Sequence, residues 1–225
     1  MRTTLFLVFL LLLSACDKDN SLTSGLSLDA NSIKRAEEQY DKKELLSSLK
    51  DIEVFHKLNK TGLKLNVPAK IQDIKEVESA FGCDLPEELQ ELWRWHNGES
   101  TDEFIWYHKF LSTSESISQY RLLVLTSSIN WHKNWIPVFE YQGEWYGVQC
   151  GNSTPKASPV ILYFTESGTS VAYTNLTTYM QVIAKAVNNG GLKWKENWWD
   201  DDIQTVSNIY AELNLGVKFP YYVKK

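Results

Sequence analysis

The chain has 225 residues, with 23 Lys and Arg against 28 Asp and Glu, a formal charge of −5, three cysteines and a hydrophobic content of 43%. These values exclude a disordered chain, a disulfide-rich scaffold and a multi-span membrane protein. Because the chain is acidic and has no cluster of Lys and Arg, we expect no direct nucleic-acid binding.

The first sixteen residues have the pattern of an export signal. Arg2 supplies a positive charge, Leu5–Leu13 is an unbroken apolar run, and small residues precede Cys16. The run is far shorter than the ~20 apolar residues of a membrane-spanning helix, so it predicts a cleaved signal peptide over residues 1–15. The four residues that end at Cys16 resemble the lipobox of bacterial lipoproteins, which implies a lipid-anchored protein of the bacterial cell envelope. An ordinary secreted protein, cut after Ala15, is the alternative.

Residues 16–31 are rich in Ser, Asp, Asn and Gly and are interpreted as a polar tether. We expect one domain after it, over residues 32–225. Apolar residues at spacings of three and four over residues 32–58 predict an amphipathic helix that is broken once. A second helix is predicted from the apolar stripe between residues 71 and 81, with Gly82 as its end.

The next predicted helix has the clearest boundaries in the chain. Pro86 stands at its first turn, where a missing N–H costs nothing, and Glu87 and Glu88 stand where the helix dipole favours carboxylates. Asn97 and Gly98 supply the left-handed stop. An acidic loop is expected after this stop.

Strands are predicted to dominate the second half of the chain. A strand at residues 104–107 and a short helix at residues 117–125 precede an alternating hairpin about the turn Gln142–Gly143. The other predicted elements are strands at 159–164 and 169–173, a helix capped by Thr174 or Asn175 that ends near Gly190, and a last helix at 202–213. This pattern predicts an α+β fold with a mixed or antiparallel sheet packed with several helices.

Several short motifs, in order, resemble the SUKH superfamily, which is named for fungal Smi/Knr cell-wall regulators and their bacterial relatives. The resemblance is strongest over residues 71–190, and its motif residues are expected to be mainly structural. They are Leu85, Pro86, Asn97, Gly98, Trp135, Ile136, Pro137, Gly143, Tyr146 and Glu166.

The resemblance implies a domain without enzymatic activity. Many bacterial members resemble or are immunity proteins, which bind and block a cognate toxin, whereas the fungal members look like adaptors for signalling and wall synthesis. We therefore expect a lipid-anchored immunity protein. The alternative is an envelope adaptor or a module that binds cell-wall glycan.

The segment 193–202 combines three tryptophans with three consecutive aspartates, and two interpretations of it stay open. It is either an aromatic lid on the core, or a set of exposed Trp anchors ringed by carboxylates that binds a basic protein partner, such as a toxin domain. The residues assigned to partner binding are Trp194, Trp198, Trp199, Asp200, Asp201 and Asp202, joined by Glu99, Asp102, Glu103 and Trp106 of the acidic loop.

Catalytic and metal-binding patterns are not evident in the sequence. The four histidines are scattered, and no nucleophile stands in a known signature with its base, so we expect no metal, no cofactor and no catalytic residue. His96, beside the Asn97–Gly98 stop, is interpreted as a packed or capping residue. Cys83 and Cys150 either pair or stay buried as free thiols.

Overall fold

The computed structural model describes residues 28–101, 104–126, 131–164 and 168–220. These ranges contain seven helices and seven strands. The helices are α1 (Ala30–Glu38), α2 (Lys42–Asn59), α3 (Ile71–Phe81), α4 (Glu87–Trp95), α5 (Thr113–Leu125), α6 (Leu176–Asn188) and α7 (Ile203–Leu213). The strands are β1 (Lys109–Phe110), β2 (Trp135–Tyr141), β3 (Glu144–Gln149), β4 (Val160–Phe164), β5 (Gly168–Tyr173), β6 (Leu192–Lys195) and β7 (Trp198–Asp201).

Two antiparallel sheets organise the chain. The larger sheet has the order β1-β2-β3-β4-β5, and β6 and β7 form a separate two-stranded sheet. Because side chains alternate along a strand, β4 faces two separate clusters. Val160 and Leu162 belong to the main core with α2, α4 and α6, whereas Ile161 and Tyr163 belong to a smaller cluster on the other face. The α+β prediction is confirmed, and every described strand pair is antiparallel.

Most predicted helices are confirmed, with small shifts at their ends. The long first helix is broken into α1 and α2, each capped by an aspartate, Asp29 and Asp41. Gly82 ends α3 in the left-handed conformation, with φ 66°. Pro86 is the N-cap of α4, so this helix begins one residue later than predicted. Asn175 caps α6.

Two predictions about the strands need correction. The strand predicted at residues 104–107 is wrong, because this segment is a tight turn closed by the bridge between Ile105 and His108. The β6–β7 hairpin was not predicted at all. The β2–β3 hairpin is confirmed, and both residues of its turn, Gln142 and Gly143, have positive φ.

The motif residues of the resemblance that the structure describes mostly serve packing. Asn97 Oδ1 accepts a hydrogen bond from Thr113 N at 2.8 Å and so joins the end of α4 to the start of α5. Gly98 has φ 74°, and a Cβ there would collide with the backbone of Leu111 and Ser112. Leu85, Trp135, Ile136 and Tyr146 are buried. Glu166 lies outside the described residues.

Cys83 and Cys150 form a disulfide, with a Cα–Cα distance of 5.8 Å. Asp84 and Gly151, the residues that directly follow the two cysteines, form two backbone hydrogen bonds with each other, at 2.8 and 3.1 Å. The link therefore fixes the α3–α4 connection against the end of β3. This settles the alternative left open by the sequence.

The export signal and Cys16 lie outside the described residues, as does most of the predicted tether. Among the helices of the described ranges, none combines the length and apolar character needed to cross a membrane.

Candidate partner-binding surface

The β6–β7 hairpin carries the tryptophans and aspartates that the sequence brings together. Its two turn residues, Glu196 and Asn197, have φ 50° and 63°. Positive φ at both positions is typical of two-residue hairpin turns, because the twist of such a turn matches that of the two strands. Trp194 pairs with Trp199 and Lys195 with Trp198 across the two strands. The hairpin thus presents its two adjacent tryptophans, 198 and 199, to opposite sides.

Trp199 anchors the hairpin to the domain. Its exposed fraction is 2%, and its ring stacks on Phe55 of α2 at a centroid distance of 5.6 Å. It also meets His56 and Trp194 edge to face, at 5.7 and 5.6 Å. Trp198, on the other side, keeps 61% of its surface exposed.

A strained turn of the acidic loop lies against the hairpin. Trp106 and Tyr107 both have positive φ, 43° and 74°, a conformation that aromatic residues rarely adopt. The turn is held by contacts to β7, because Trp106 Nε1 donates to Asp201 Oδ2 at 2.9 Å and Tyr107 OH donates to Trp199 O at 2.6 Å. Such strain costs about 1–3 kcal/mol per residue and concentrates at functional sites.

His108 fastens the same turn to the larger sheet. One ring nitrogen, Nδ1, lies 3.0 Å from Trp106 O, and the other, Nε2, lies 3.1 Å from Glu144 Oε1. The ring also packs edge to face on Tyr146 at 4.9 Å. The position of Tyr107 is therefore fixed from two directions, by the hairpin and by β3.

The result is an aromatic patch with carboxylates beside it, which we call the hairpin surface: Tyr107, Tyr141, Trp194, Trp198, Asp200 and Asp201. The ring of Trp198 lies 5.0 Å from that of Tyr107, and Tyr107 lies 5.5 Å from Tyr141. A cavity of about 130 Å³ opens between these rings and Trp194. The surface therefore offers ring faces and a shallow recess at one place.

The electrostatics of the hairpin surface are negative. Asp200 and Asp201 are exposed. A hydrogen bond and the charge of Lys195 lower the pKa of Asp200, and the two groups are 2.5 Å apart. Such an exposed pair is weak and is readily exchanged for another cation. Burial, followed by the charge of Asp201, raises the pKa of Tyr107, so its hydroxyl stays neutral.

Four of the residues assigned to partner binding from the sequence have internal roles. Glu99 is 2% exposed, and its Oε1 accepts hydrogen bonds from the backbone N–H groups of Phe104 and Phe110. Trp106 and Trp199 are buried, and Asp202 is the N-cap of α7. Glu99, Trp106 and Trp199 are covered by the domain itself, whereas Asp202 is exposed while it caps α7. Asp102 and Glu103 lie outside the described residues.

Sequence reasoning missed two members of the hairpin surface, Tyr107 and Tyr141. Tyr141 ends β2 and comes directly before the Gln142–Gly143 turn, a signal that the sequence contains. No local signal marks Tyr107, because its position depends on a backbone turn that its residue type disfavours.

A second cleft lies at the carboxyl end of α2. It has a volume of about 470 Å³, and its lining includes Glu53, Lys57, Lys60 and His96. His96 Nδ1 lies 2.5 Å from Asn66 O, so this histidine ties the end of α4 to the loop between α2 and α3, in agreement with its predicted packing role. Within the described ranges, no group of three or more His, Cys, Asp or Glu side chains is placed to hold a metal ion.

Comparison with known proteins adds one family match. Residues 68–182 match the model of the SMI1/KNR4 family (SUKH-1). A search of curated proteins gives no significant match.

Proposed function

The chain belongs to the SMI1/KNR4 family (SUKH-1), and from this premise we propose that it is a lipid-anchored immunity protein, which binds and neutralises a cognate bacterial toxin without catalytic activity. The observation that carries the proposal is the hairpin surface, where an exposed Trp198 is held over Tyr107 by a strained turn.

The chemistry of the hairpin surface suits a basic partner. Ring faces of Trp and Tyr attract Arg and Lys cations, and the neighbouring carboxylates of Asp200 and Asp201 complement the same charge. Exposed aromatic residues in a fixed position are typical hot spots of protein interfaces. A basic surface of the toxin therefore fits this patch, and binding there needs no chemical step.

The disulfide supports the export that this proposal requires. Disulfides such as Cys83–Cys150 form and persist in oxidising compartments, which include the bacterial periplasm and the cell surface. The lipobox-like sequence that ends at Cys16 would keep the exported domain at a membrane of the cell envelope. A toxin that acts on the envelope, or one intercepted in transit, is the target that this location implies.

Co-expression with the polymorphic toxins encoded beside this gene tests the proposal. We expect a stable one-to-one complex and protection of the cell. Trp198→Ala should weaken binding by tenfold or more, since loss of a hot-spot aromatic costs about 2 kcal/mol or more. Leu215→Ala is the matched control, because Leu215 has a similar exposed fraction, 64%, and lies after α7. Lack of both complex and protection with every such toxin would defeat the immunity assignment.

The recess between Tyr107, Tyr141 and Trp194 favours one second function, binding of cell-wall glycan by an envelope adaptor. Exposed aromatic rings stack on sugars, and the recess is lined mainly by aromatic side chains. This function predicts that the protein is retained on purified glycan and that Trp198→Ala abolishes retention. Equal retention of wild type and Trp198→Ala would exclude the hairpin surface as the glycan site.

A further inference from the structure

The last turn of α5 exposes an unusual amount of aliphatic surface. Leu122 and Leu125 are 61% and 82% exposed, and Val124 between them is 44% exposed. Only Leu123 in this turn is buried, and it packs into the small cluster on the outer face of the sheet. Exposed aliphatic side chains grouped in this way indicate a contact with another apolar surface.

The chain on either side of this turn is locally basic in sequence, in contrast to the acidic chain as a whole. Between Glu115 and Glu140 the sequence contains Arg121 and Lys133 and no Asp or Glu. Both cations are exposed, and neither forms an ion pair within the described ranges. Lys133 comes two residues after Trp131, which packs in the same cluster as Leu123. Aliphatic side chains flanked by cations suit a surface of anionic lipid.

The amino-terminal end of the described chain lies at the same place. Leu28 packs against the cluster that contains Leu123, Trp131 and Tyr163. Cys16 is twelve residues earlier, and a chain of this length reaches at most about 40 Å. A lipid on Cys16 would therefore bring the bilayer within reach of this side of the domain. Tethering of this kind raises the effective concentration of a weak binding surface to the order of millimolar.

We propose that this surface, the α5 patch (Arg121, Leu122, Val124, Leu125 and Lys133), rests on an anionic phospholipid bilayer. The inference rests on the proposed acylation of Cys16, which supplies the proximity. The aliphatic side chains enter the headgroup region and the two cations contact lipid phosphates. The anchored domain then has one fixed side toward the membrane instead of hanging freely from its tether.

Fluorescence quenching in vesicles tests the orientation. The full-length acylated protein, with its disulfide intact, is labelled with an environment-sensitive fluorophore at Leu125→Cys and reconstituted into phosphatidylglycerol-containing vesicles whose acyl chains carry bromine. We expect the label at position 125 to be quenched several-fold more than one at Leu215→Cys, the matched exposed control. Arg121→Glu with Lys133→Glu, or vesicles of phosphatidylcholine alone, should reduce this difference.

The possible outcomes distinguish failure of the α5 patch from failure of the lipid anchor. Equal quenching at positions 125 and 215 in a protein that floats with the vesicles would overturn the α5 patch and leave the anchor intact. A spectral shift at position 125 that depends on protein concentration and not on lipid would also overturn it, because a second copy then covers the patch. Unmodified Cys16 in protein from the native host would overturn both the anchor and the patch.

Discussion

His56 is a buried histidine whose two ring nitrogens both have partners. Nε2 lies 2.7 Å from Phe104 O and must donate to it, so Nδ1 accepts from Thr61 Oγ1 at 2.6 Å. Burial lowers the pKa of His56 to about 4, and the hydrogen bond to Phe104 opposes this shift only in part. The histidine is thus neutral in the folded protein, where it supports Trp199 of the hairpin.

The first prediction concerns the pH dependence that His56 confers. Its pKa is lower in the folded chain than the ordinary value of 6.5, so the unfolded chain binds more protons between pH 6.5 and 4. The stabilisation that His56 contributes is complete above pH 6.5 and is lost as the pH falls through this window. The free-energy difference between wild type and His56→Gln, measured by urea unfolding, should therefore shrink from pH 7 to pH 4. A difference that stays constant from pH 7 to pH 4 would contradict the lowered pKa of His56.

Glu88 gives the opposite pH dependence. Its side chain is fully buried, and it accepts backbone hydrogen bonds from Ser158 at 3.0 Å and from Leu176 and Thr177 at 3.0 and 3.3 Å. Burial raises the pKa of Glu88 to about 8, against the effect of these three donors. The folded chain then binds the extra proton between pH 4.5 and 8, so the stabilisation from Glu88 is lost as the pH rises.

The second prediction follows from this shift. The free energy of unfolding of wild type relative to Glu88→Gln should decrease from pH 5 to pH 8, because only wild type loses the proton. Thermal unfolding of both proteins at several pH values measures this difference. A difference that stays constant with pH would show that Glu88 does not titrate in this range, and His56→Gln should leave the slope above pH 6.5 unchanged.

At the scale of single elements, the three aspartates at residues 200–202 separate into different roles. Asp202 Oδ1 accepts from Thr205 N at 3.2 Å and Asp202 Oδ2 from Thr205 Oγ1 at 2.7 Å, so this residue caps α7. Asp201 is the last residue of β7, and Asp200 comes directly before it and forms an ion pair with Lys195. Only Asp202 is therefore required by the helix.

The third prediction tests this separation. Asp202→Ala should destabilise the protein by about 1 kcal/mol, the usual cost of a lost N-cap, and should leave partner binding unchanged. Asp200→Ala is the matched control, which should weaken partner binding and change stability by less than about 0.5 kcal/mol. Urea unfolding and titration calorimetry measure the two effects. The reverse pattern would contradict the assigned roles.

The two hairpins show which elements could be predicted from the sequence and which could not. The β2–β3 hairpin is predictable because Gly143 permits the turn and both strands alternate. The β6–β7 hairpin has the same turn geometry on Glu196 and Asn197, but it has no glycine to mark it. A turn without glycine between short strands gives little local signal, so this hairpin was missed.

Contacts distant in sequence explain the other failures. The Trp106–Tyr107 turn takes its shape from hydrogen bonds to residues more than 90 positions later, and no window around position 106 contains that information. Exposure has the same origin, since Trp198 and Trp199 are chemically identical and differ in packing: Trp199 packs on Phe55, His56 and Trp194. The composition of the candidate surface was predictable, whereas the choice of contact residues within it was not.

At the scale of the whole molecule, the disulfide joins two halves of the core across 67 residues of sequence. Cross-linking a loop of this length removes conformational entropy from the unfolded chain, which corresponds to about 4 kcal/mol of stability in the chain-entropy model. The domain would therefore depend on this disulfide for much of its stability, since domains have only about 5–15 kcal/mol in total.

The fourth prediction is that the double variant Cys83→Ser with Cys150→Ser unfolds with a free energy lower by about 2–4 kcal/mol. Reduction of wild type with dithiothreitol should produce a similar loss, measured by urea unfolding. The same treatment should leave the double variant unchanged, which separates the disulfide from other effects of the reductant. A wild-type protein indifferent to reduction would contradict this role of the disulfide.

In the function that we propose, one face of the domain binds the partner and a lipid anchor fixes where this happens. The hairpin surface would supply the contact, and acyl chains on Cys16 would supply the location. Quantitative affinity capture from native membranes, with full-length wild type and the variants Trp198→Ala and Leu215→Ala as baits, tests this most directly. We predict that wild type and Leu215→Ala retain one toxin in equimolar amount and that Trp198→Ala loses it. Equal capture by all three baits, or turnover of a captured substrate by the wild-type protein, would contradict the account.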